Sequence, residues 1–271
     1  MYAFEFQRPT TVRQASSMLA KSEDAKLLAG GHSLVPVMKL RLASPKTLID
    51  LSQIKELSGI EMTGRTLVIG AMTRHKEVAN SPIVQEAMPG LAYVPGSIGD
   101  PHVRNRGTIG GSIANNDPNA DYPAACLGLG ATIITNKRRI LADQFFTGMF
   151  ETALEPDEII TKVSFPIVKK CGYEKFKHPA SGFALVGVFV SKRSSEVRVA
   201  VTGAGANGVF RVQSFEEALK KRFAPKSLEG LTIPQEGLNT DIHASAEYRA
   251  HLVGVMARRA TAKAVANGQG S

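Results

Sequence analysis

The stretch KLLAGGHSLVPVMKL occupies residues 26–40. An apolar run reaches Gly30 and Gly31, passes His32 and Ser33, and turns apolar again. AKLLAGG reads as a buried strand stopped by glycines. LVPVMKLRL reads as a short helix, with Pro36 tolerated in its first turn. Two glycines between strand and helix leave backbone N–H groups open, and a side chain at either position would block close approach. Such a turn suits a pyrophosphate. It is also an ordinary way for a strand to end, so the loop alone does not carry a function.

The flanking sequence completes a βαβ-like unit. YAFEFQRP (2–9) and KTLIDLS (46–52) read as strands, and TTVRQASSMLAKS (10–22) has Thr caps ahead of Val12, Ala15 and Leu19 at helical spacing. From about residue 55 the texture changes. MTGRT (62–66) reads as a hairpin tip followed by the strand TLVIGA, with a helix starting near Thr73. PIVQEAMPGLAYV (82–94) is helical, and residues 96–135 are dense in Gly, Asn, Asp and Pro, with a helix at DYPAACLGLG and a strand at ATIIT. Near residue 165 a third region begins. GFALVGVFVSKR (182–193) reads as strand or helix and EVRVAVTGAG (196–205) as strand. SFEEALKKRF (214–223) reads as a helix with Ser214 and Glu217 as a capping box. HASAEYRAHLVGVMARRATAKAV (243–265) reads as a final amphipathic helix. The expected class is α+β, in three units: 1–54, 55–165 and 166–271.

A second small-residue turn lies in RNRGTIGGSIANND (104–117). Thr108, Ile109, Gly110, Gly111 and Ser112 bring hydroxyls and amides together with no acid–base pair. Two Gly-Gly loops could clamp a diphosphate from both sides. Asp121 follows; its carboxylate could accept hydrogen bonds from ribose hydroxyls or serve as an N-cap. A third glycine motif, Gly203-Ala-Gly205-Ala-Asn-Gly208, matches G-x-G-x-x-G. A dinucleotide fold needs a helix to begin at its last glycine, yet β-like VFRVQ follows, so this segment reads as a loop.

Composition removes other chemistries. The chain holds 2 cysteines, Cys126 and Cys171, outside any C-x-x-C pair. Iron–sulfur clusters and structural zinc need more ligands than that, so no metal site is expected and both cysteines read as small buried hydrophobes. No P-loop or H-E-x-x-H is present, and His75, His102, His178, His243 and His251 are scattered. The formal net charge is +9, but the basic runs are short and tryptophan is absent, so a solvated face or a docking face for an acidic partner is favoured over nucleic acid. No apolar stretch reaches the ~20 residues that cross a bilayer, and no secretory signal is visible. The expected location is cytoplasmic, with association at the inner face of the membrane left open.

AGGHSLVPVMKLRL (29–42), VRNRGTIGGSIANNDPNADYPAA (103–125) and DIHASAEYRAHLVGVMARRA (241–260) together resemble the FAD-binding medium subunit of molybdenum hydroxylases, nearest in look to the medium chain of aerobic carbon monoxide dehydrogenase. The likeness runs in order over nearly the whole chain. It implies the two-subdomain FAD-binding fold shared with vanillyl-alcohol oxidase and xanthine dehydrogenase, plus a C-terminal α+β domain. It implies non-covalent FAD, with Ala29, Gly30, Gly31, His32 and Ser33, flanked by Leu28 and Leu34, and Thr108 to Ser112 on the pyrophosphate through amides and hydroxyls. Asn115 and Asp121 would lie on the adenosine side, Ile109 and Lys177 near the isoalloxazine. Many relatives carry Arg and then Asp-Tyr where this chain reads HPASGF, so Phe183 stands where a tyrosine hydroxyl is usual. His32 is expected to make a backbone or polar contact near the phosphates and no covalent bond.

The implied role is electron transfer with no catalytic residue of its own. A large molybdenum-cofactor subunit would oxidise the substrate, and a small subunit with [2Fe–2S] clusters would relay electrons to FAD and on to an external quinone or NAD. The implied assembly is a dimer of heterotrimers. A free-standing flavin oxidoreductase of the same fold and a non-enzymatic basic binding domain are the alternatives.

Overall fold

The computed structural model describes residues 1–268. Its first layer is a parallel sheet of β1 (Glu5–Gln7), β2 (Ala25–Leu28) and β3 (Thr47–Asp50), in the order β1-β3-β2. The crossovers carry α1 (Val12–Ala20), capped by the Thr11 hydroxyl, and α2 (Leu34–Lys39). Ala15, Ala25, Ile49, Leu51, Ile54 and Leu57 form the core beneath. The βαβ pattern in the sequence is therefore a true parallel unit, with the first glycine loop between β2 and α2.

The second sheet is antiparallel. Its members are β4 (Ile60–Thr63), β5 (Thr66–Gly70), β6 (Thr132–Thr135), β7 (Arg139–Leu141) and β10 (Ile160–Pro166), in the order β4-β5-β10-β6-β7. Gly64, at φ +58°, makes the β4–β5 turn that MTGRT announced. Between β5 and β6 runs a helical layer: α3 (His75–Asn80), α4 (Pro82–Ala87), α5 (Pro89–Gly96), α6 (Pro101–Arg106), α7 (Ile109–Asn115) and α8 (Asp121–Leu129). Every residue of α8 is buried, which is why its sequence shows no polar face. After α9 (Ala142–Phe145), strands β8 (Phe146–Gly148) and β9 (Glu151–Thr152) form a small hairpin.

The third sheet holds β11 (Lys170–Lys177), β12 (Ala184–Arg193), β13 (Glu196–Thr202) and β14 (Phe210–Arg211) in sequential antiparallel order. GFALVGVFVSKR is thus strand, buried from Ala184 to Ser191, as its β-branched content favours. One face packs on α8; the other is covered by α10 (Gln213–Lys221) and α11 (Ala246–Asn267). Arg249 of α11 is buried, donating to the carbonyls of Leu185 and Gly203 and to Asp241.

One local expectation is corrected. The Ser214–Glu217 capping box does not form: α10 starts at Gln213 with Val212 as N-cap and no side-chain cap bond. Buried Glu216 instead accepts from the Val199 N–H and from Arg211, tying the helix to the sheet. Gly203 to Gly208 is a loop that leads into β14, with no helix at its last glycine. Cys126 and Cys171 are free and buried; burial pushes both thiols up, Cys171 to about 12.

Candidate functional site

The two glycine loops meet. Gly30 lies so close to the carbonyl of Arg106 and to Gly107 that a Cβ there would overlap the backbone. A Cβ on Gly111 would sit 3.6 Å from that of Ala29. Segments nearly eighty residues apart in sequence therefore share one surface at the end of β2.

The first loop carries open donors. Gly31 has φ +76°, the left-handed region that an L side chain rarely adopts. Among the described residues, the N–H groups of Gly30, Gly31, His32 and Ser33 have no protein acceptor. Ser33 is the N-cap of α2 but makes no side-chain cap bond, so its hydroxyl is open too. His32 and Ser33 are exposed, and Leu28, Ala29 and Leu34 are half-buried around them. A run of free N–H groups about a left-handed glycine is an anion-binding concavity.

The second loop is built differently. The Ile109 N–H donates to Thr73 O and the Gly110 N–H to Ala71 O. Gly111 N–H donates to Thr108 Oγ1, and Ser112 N–H to Thr108 O. Gly110 is needed because its Cβ would strike Ala71 at 2.6 Å. Its amides are therefore engaged inside the protein, unlike those of the first loop. What this loop offers a ligand is the flat Gly111 surface and the hydroxyl protons of Thr108 and Ser112. Ile109 is fully buried beneath them, and Asn115 is half-buried at the end of α7.

Beneath the second loop sits His75, which sequence reasoning passed over as scattered. Its N–H donates to Gly107 O at 2.9 Å, and its ring abuts Gly107 so closely that a Cβ there would clash. Burial, helped by the nearby charge of His32, lowers His75 from 6.5 to about 4. His75 Nδ1 and the hydroxyl of Tyr122, whose rings lie 5.3 Å apart, are buried without partners among the described residues.

Asp121 differs from its expectation. It is the first residue of α8, not the N-cap, and it is buried. Its carboxylate accepts from the Tyr173 hydroxyl at 2.5 Å and lies 2.9 Å from Lys175 Nζ. Burial pushes this carboxyl up, against the pull of Lys175 and Tyr173. Both partners come from β11, more than fifty residues on, and no local pattern pointed to them. In this arrangement the carboxylate is engaged with protein groups rather than turned to a ribose.

Lys177 and Phe183 are exposed at the two ends of the loop joining β11 to β12. His178 N–H donates to Phe183 O, and a Cβ on Gly182 would come within 3.1 Å of Gly99 Cα. The loop tip thus rests one short helix, α6, away from Gly107. Asn116, also missed, adopts φ +42° and donates to the carbonyls of Gly148 and Glu151, anchoring the β8–β9 hairpin behind α7. Asn tolerates that conformation better than most residues. Among the described residues no cluster of metal-ligating side chains occurs, and no helix is long and apolar enough to cross a membrane.

A family described as the FAD binding domain in molybdopterin dehydrogenase matches residues 2–168. The chain is 38% identical to the carbon monoxide dehydrogenase medium chain of Hydrogenophaga pseudoflava, over 95% of each. It is 35% identical to the nicotine 6-hydroxylase medium subunit of Paenarthrobacter nicotinovorans, over 97% of each. Its fold matches a chain of carbon monoxide dehydrogenase from Hydrogenophaga pseudoflava with a TM-score of 0.87 at 36% identity, over 98% of each chain. It also matches a chain of quinoline 2-oxidoreductase from Pseudomonas putida 86 with a TM-score of 0.84 at 27% identity, again over 98% of each. The glycine loops that meet at the end of β2 both fall inside the matched segment, and the chain belongs to the FAD-binding medium-subunit family of the molybdenum hydroxylases.

Proposed function

We propose that this chain holds FAD non-covalently at the paired glycine loops and serves as the electron-transfer subunit of a molybdenum hydroxylase. The observation that carries the reading is the run of free N–H groups from Gly30 to Ser33, packed against the second loop through Gly30 and Gly111. These residues fit a diphosphate. The first loop would bind it through amides and the Ser33 hydroxyl. The second would position it through the hydroxyls of Thr108 and Ser112. Leu28, Ala29 and Leu34 would wall the site, with Ile109 buried beneath it, Asn115 on the adenosine side and Lys177 and Phe183 toward the flavin ring. Asp121 acts from behind, by fixing α8.

Bound FAD would supply the redox chemistry, taking electrons from [2Fe–2S] clusters of a small partner subunit and releasing them to a quinone or NAD. The protein's part is to bind and orient. Substrate oxidation would belong to a large molybdenum-cofactor subunit, in a dimer of heterotrimers. The substrate is not set by this chain: a carbon monoxide dehydrogenase medium chain and a nicotine 6-hydroxylase medium subunit are almost equally similar to it. The three units 1–54, 55–165 and 166–271 would be the two FAD-binding subdomains and the C-terminal domain.

The test is rapid-mixing reduction of the assembled complex. Flavin bleaching by substrate only when both partner subunits are present supports the electron-transfer role. Turnover of an organic substrate by this chain alone would replace it with a free-standing oxidoreductase.

A further inference from the structure

Beyond the cofactor site, exposed apolar side chains gather at the end of α2 far from the first glycine loop. Tyr2, Phe4 and Phe6 are 37–54% exposed, and Val37, Leu40 and Leu42 are 37%, 71% and 76% exposed. The two groups adjoin, because the Arg41 guanidinium stands 5.4 Å from the centre of the Tyr2 ring. β1, which carries Phe6, is an edge strand whose outer side has no neighbour in the sheet. Soluble proteins usually protect such an edge with charge or a covering loop, and large apolar patches on a surface mark contacts with other molecules.

The backbone shows that this presentation is built. Residues 37–42 close α2 with a Leu42 N–H to Val37 O bond and an Arg41 N–H to Met38 O bond. That is a Schellman ending, whose left-handed position is normally glycine. Here Arg41 takes it, at φ +60°. The unfavourable conformation is held while Arg41 lies against Tyr2 between two outward leucines. From residue 36 to 46 there are cations at Lys39, Arg41 and Lys46 and no acid. Lys46 pairs with Asp24, while among the described residues Lys39 and Arg41 meet no carboxylate.

We infer that the Tyr2–Phe6 edge and the Leu40–Arg41–Leu42 turn form one docking surface for a partner subunit of the same complex, whose matching surface is apolar at its centre and carboxylate-bearing at its rim. The inference rests on the subunit role proposed above. The free Lys39 and Arg41 charges favour an acidic partner over a second copy, which would bring like charges together. The Leu40–Leu42 turn closes α2, whose first turn follows Ser33, so a partner seated there abuts the helix that follows the diphosphate site.

The test is co-expression of the chain with its large and small partner subunits, comparing wild type with L40D/L42D and with R41E. Every changed side chain is solvent-facing, so FAD content and melting temperature of the variant chains should match wild type. The expected result is that L40D/L42D elutes apart from the partners and R41E binds them at least tenfold more weakly. Co-elution of FAD-loaded L40D/L42D with both partners, as in wild type, overturns the proposal. So does a wild-type homodimer that L40D/L42D disperses while partner binding persists. Should L40D/L42D fold poorly, R41E alone decides by the same readout. Failure of the chain to bind FAD would instead refute the cofactor reading and leave the docking result to stand by itself.

Discussion

The Asp121 carboxylate and the Lys175 ammonium lie 2.9 Å apart with side chains 4% and 2% exposed. Asp121 opens α8, directly after the segment of the second glycine loop; Lys175 lies in β11. The pair, with the Tyr173 hydroxyl, joins the cofactor-side helical layer to the C-terminal sheet. Removing one member leaves the other charged and dry, which costs about 3–5 kcal/mol. Asp121→Asn and Lys175→Met should each lower unfolding free energy by that order, while the double variant recovers a large part. Denaturant titration of the four proteins checks this, and additive losses would mean the two residues are not coupled.

The glycines of the site should differ in sensitivity. Gly30→Ala forces the Arg106–Gly107 backbone away, because its Cβ would overlap main-chain atoms. A Cβ on Gly111 meets Thr108 Oγ1 at 3.0 Å, a neighbour that needs to move only slightly. FAD affinity, measured by fluorescence quenching, should fall at least tenfold, or about 1.4 kcal/mol, in G30A, and less in G111A. Equal and small losses would place the diphosphate elsewhere.

His75 sets a pH dependence whose sign follows from its depressed value. The folded chain keeps it neutral down to about 4, while the unfolded chain takes a proton near 6.5. Between those values the unfolded state binds more protons, so stability falls as pH drops from about 6.5 to about 4. The effect is on the order of 3 kcal/mol at most. Urea titrations at pH 7 and pH 4.5 should show this loss in wild type and much less of it in His75→Gln. An unchanged slope in the variant would assign the dependence to other groups.

His32 caught the eye in the sequence, yet its neighbours give it no triad or metal companion. It is exposed on the turn that carries the free N–H groups. Flavin should therefore leave the protein on acid or guanidinium treatment and pass freely through a membrane that retains the chain. Colour that stays with the denatured polypeptide would identify a covalent bond.

Much of the fold was legible because it rests on local patterns. Glycines that follow β2, a strand only partly buried and not the buried one its apolar run suggests because it lies at the sheet edge, and a tight turn at Gly64 each act within a few residues. What was not legible was contact across the chain. Nothing near Asp121 announces Tyr173 and Lys175, and nothing near Thr108 shows that its loop's amides turn inward to Ala71 and Thr73. Two similar Gly-Gly motifs thus take different tasks, one offering donors and the other rigidity. The Ser214–Glu217 pattern misled because Glu216, one residue earlier, found a stronger buried role with Arg211.

Titration of the purified chain with FAD, with ADP and riboflavin as competitors, tests whether the paired glycine loops hold FAD through its diphosphate. Stoichiometric uptake with the visible absorption of oxidised flavin, displaced by ADP and not by riboflavin, is the expected result. A colourless chain that takes up no added FAD, or one that binds riboflavin as tightly as FAD, would contradict it.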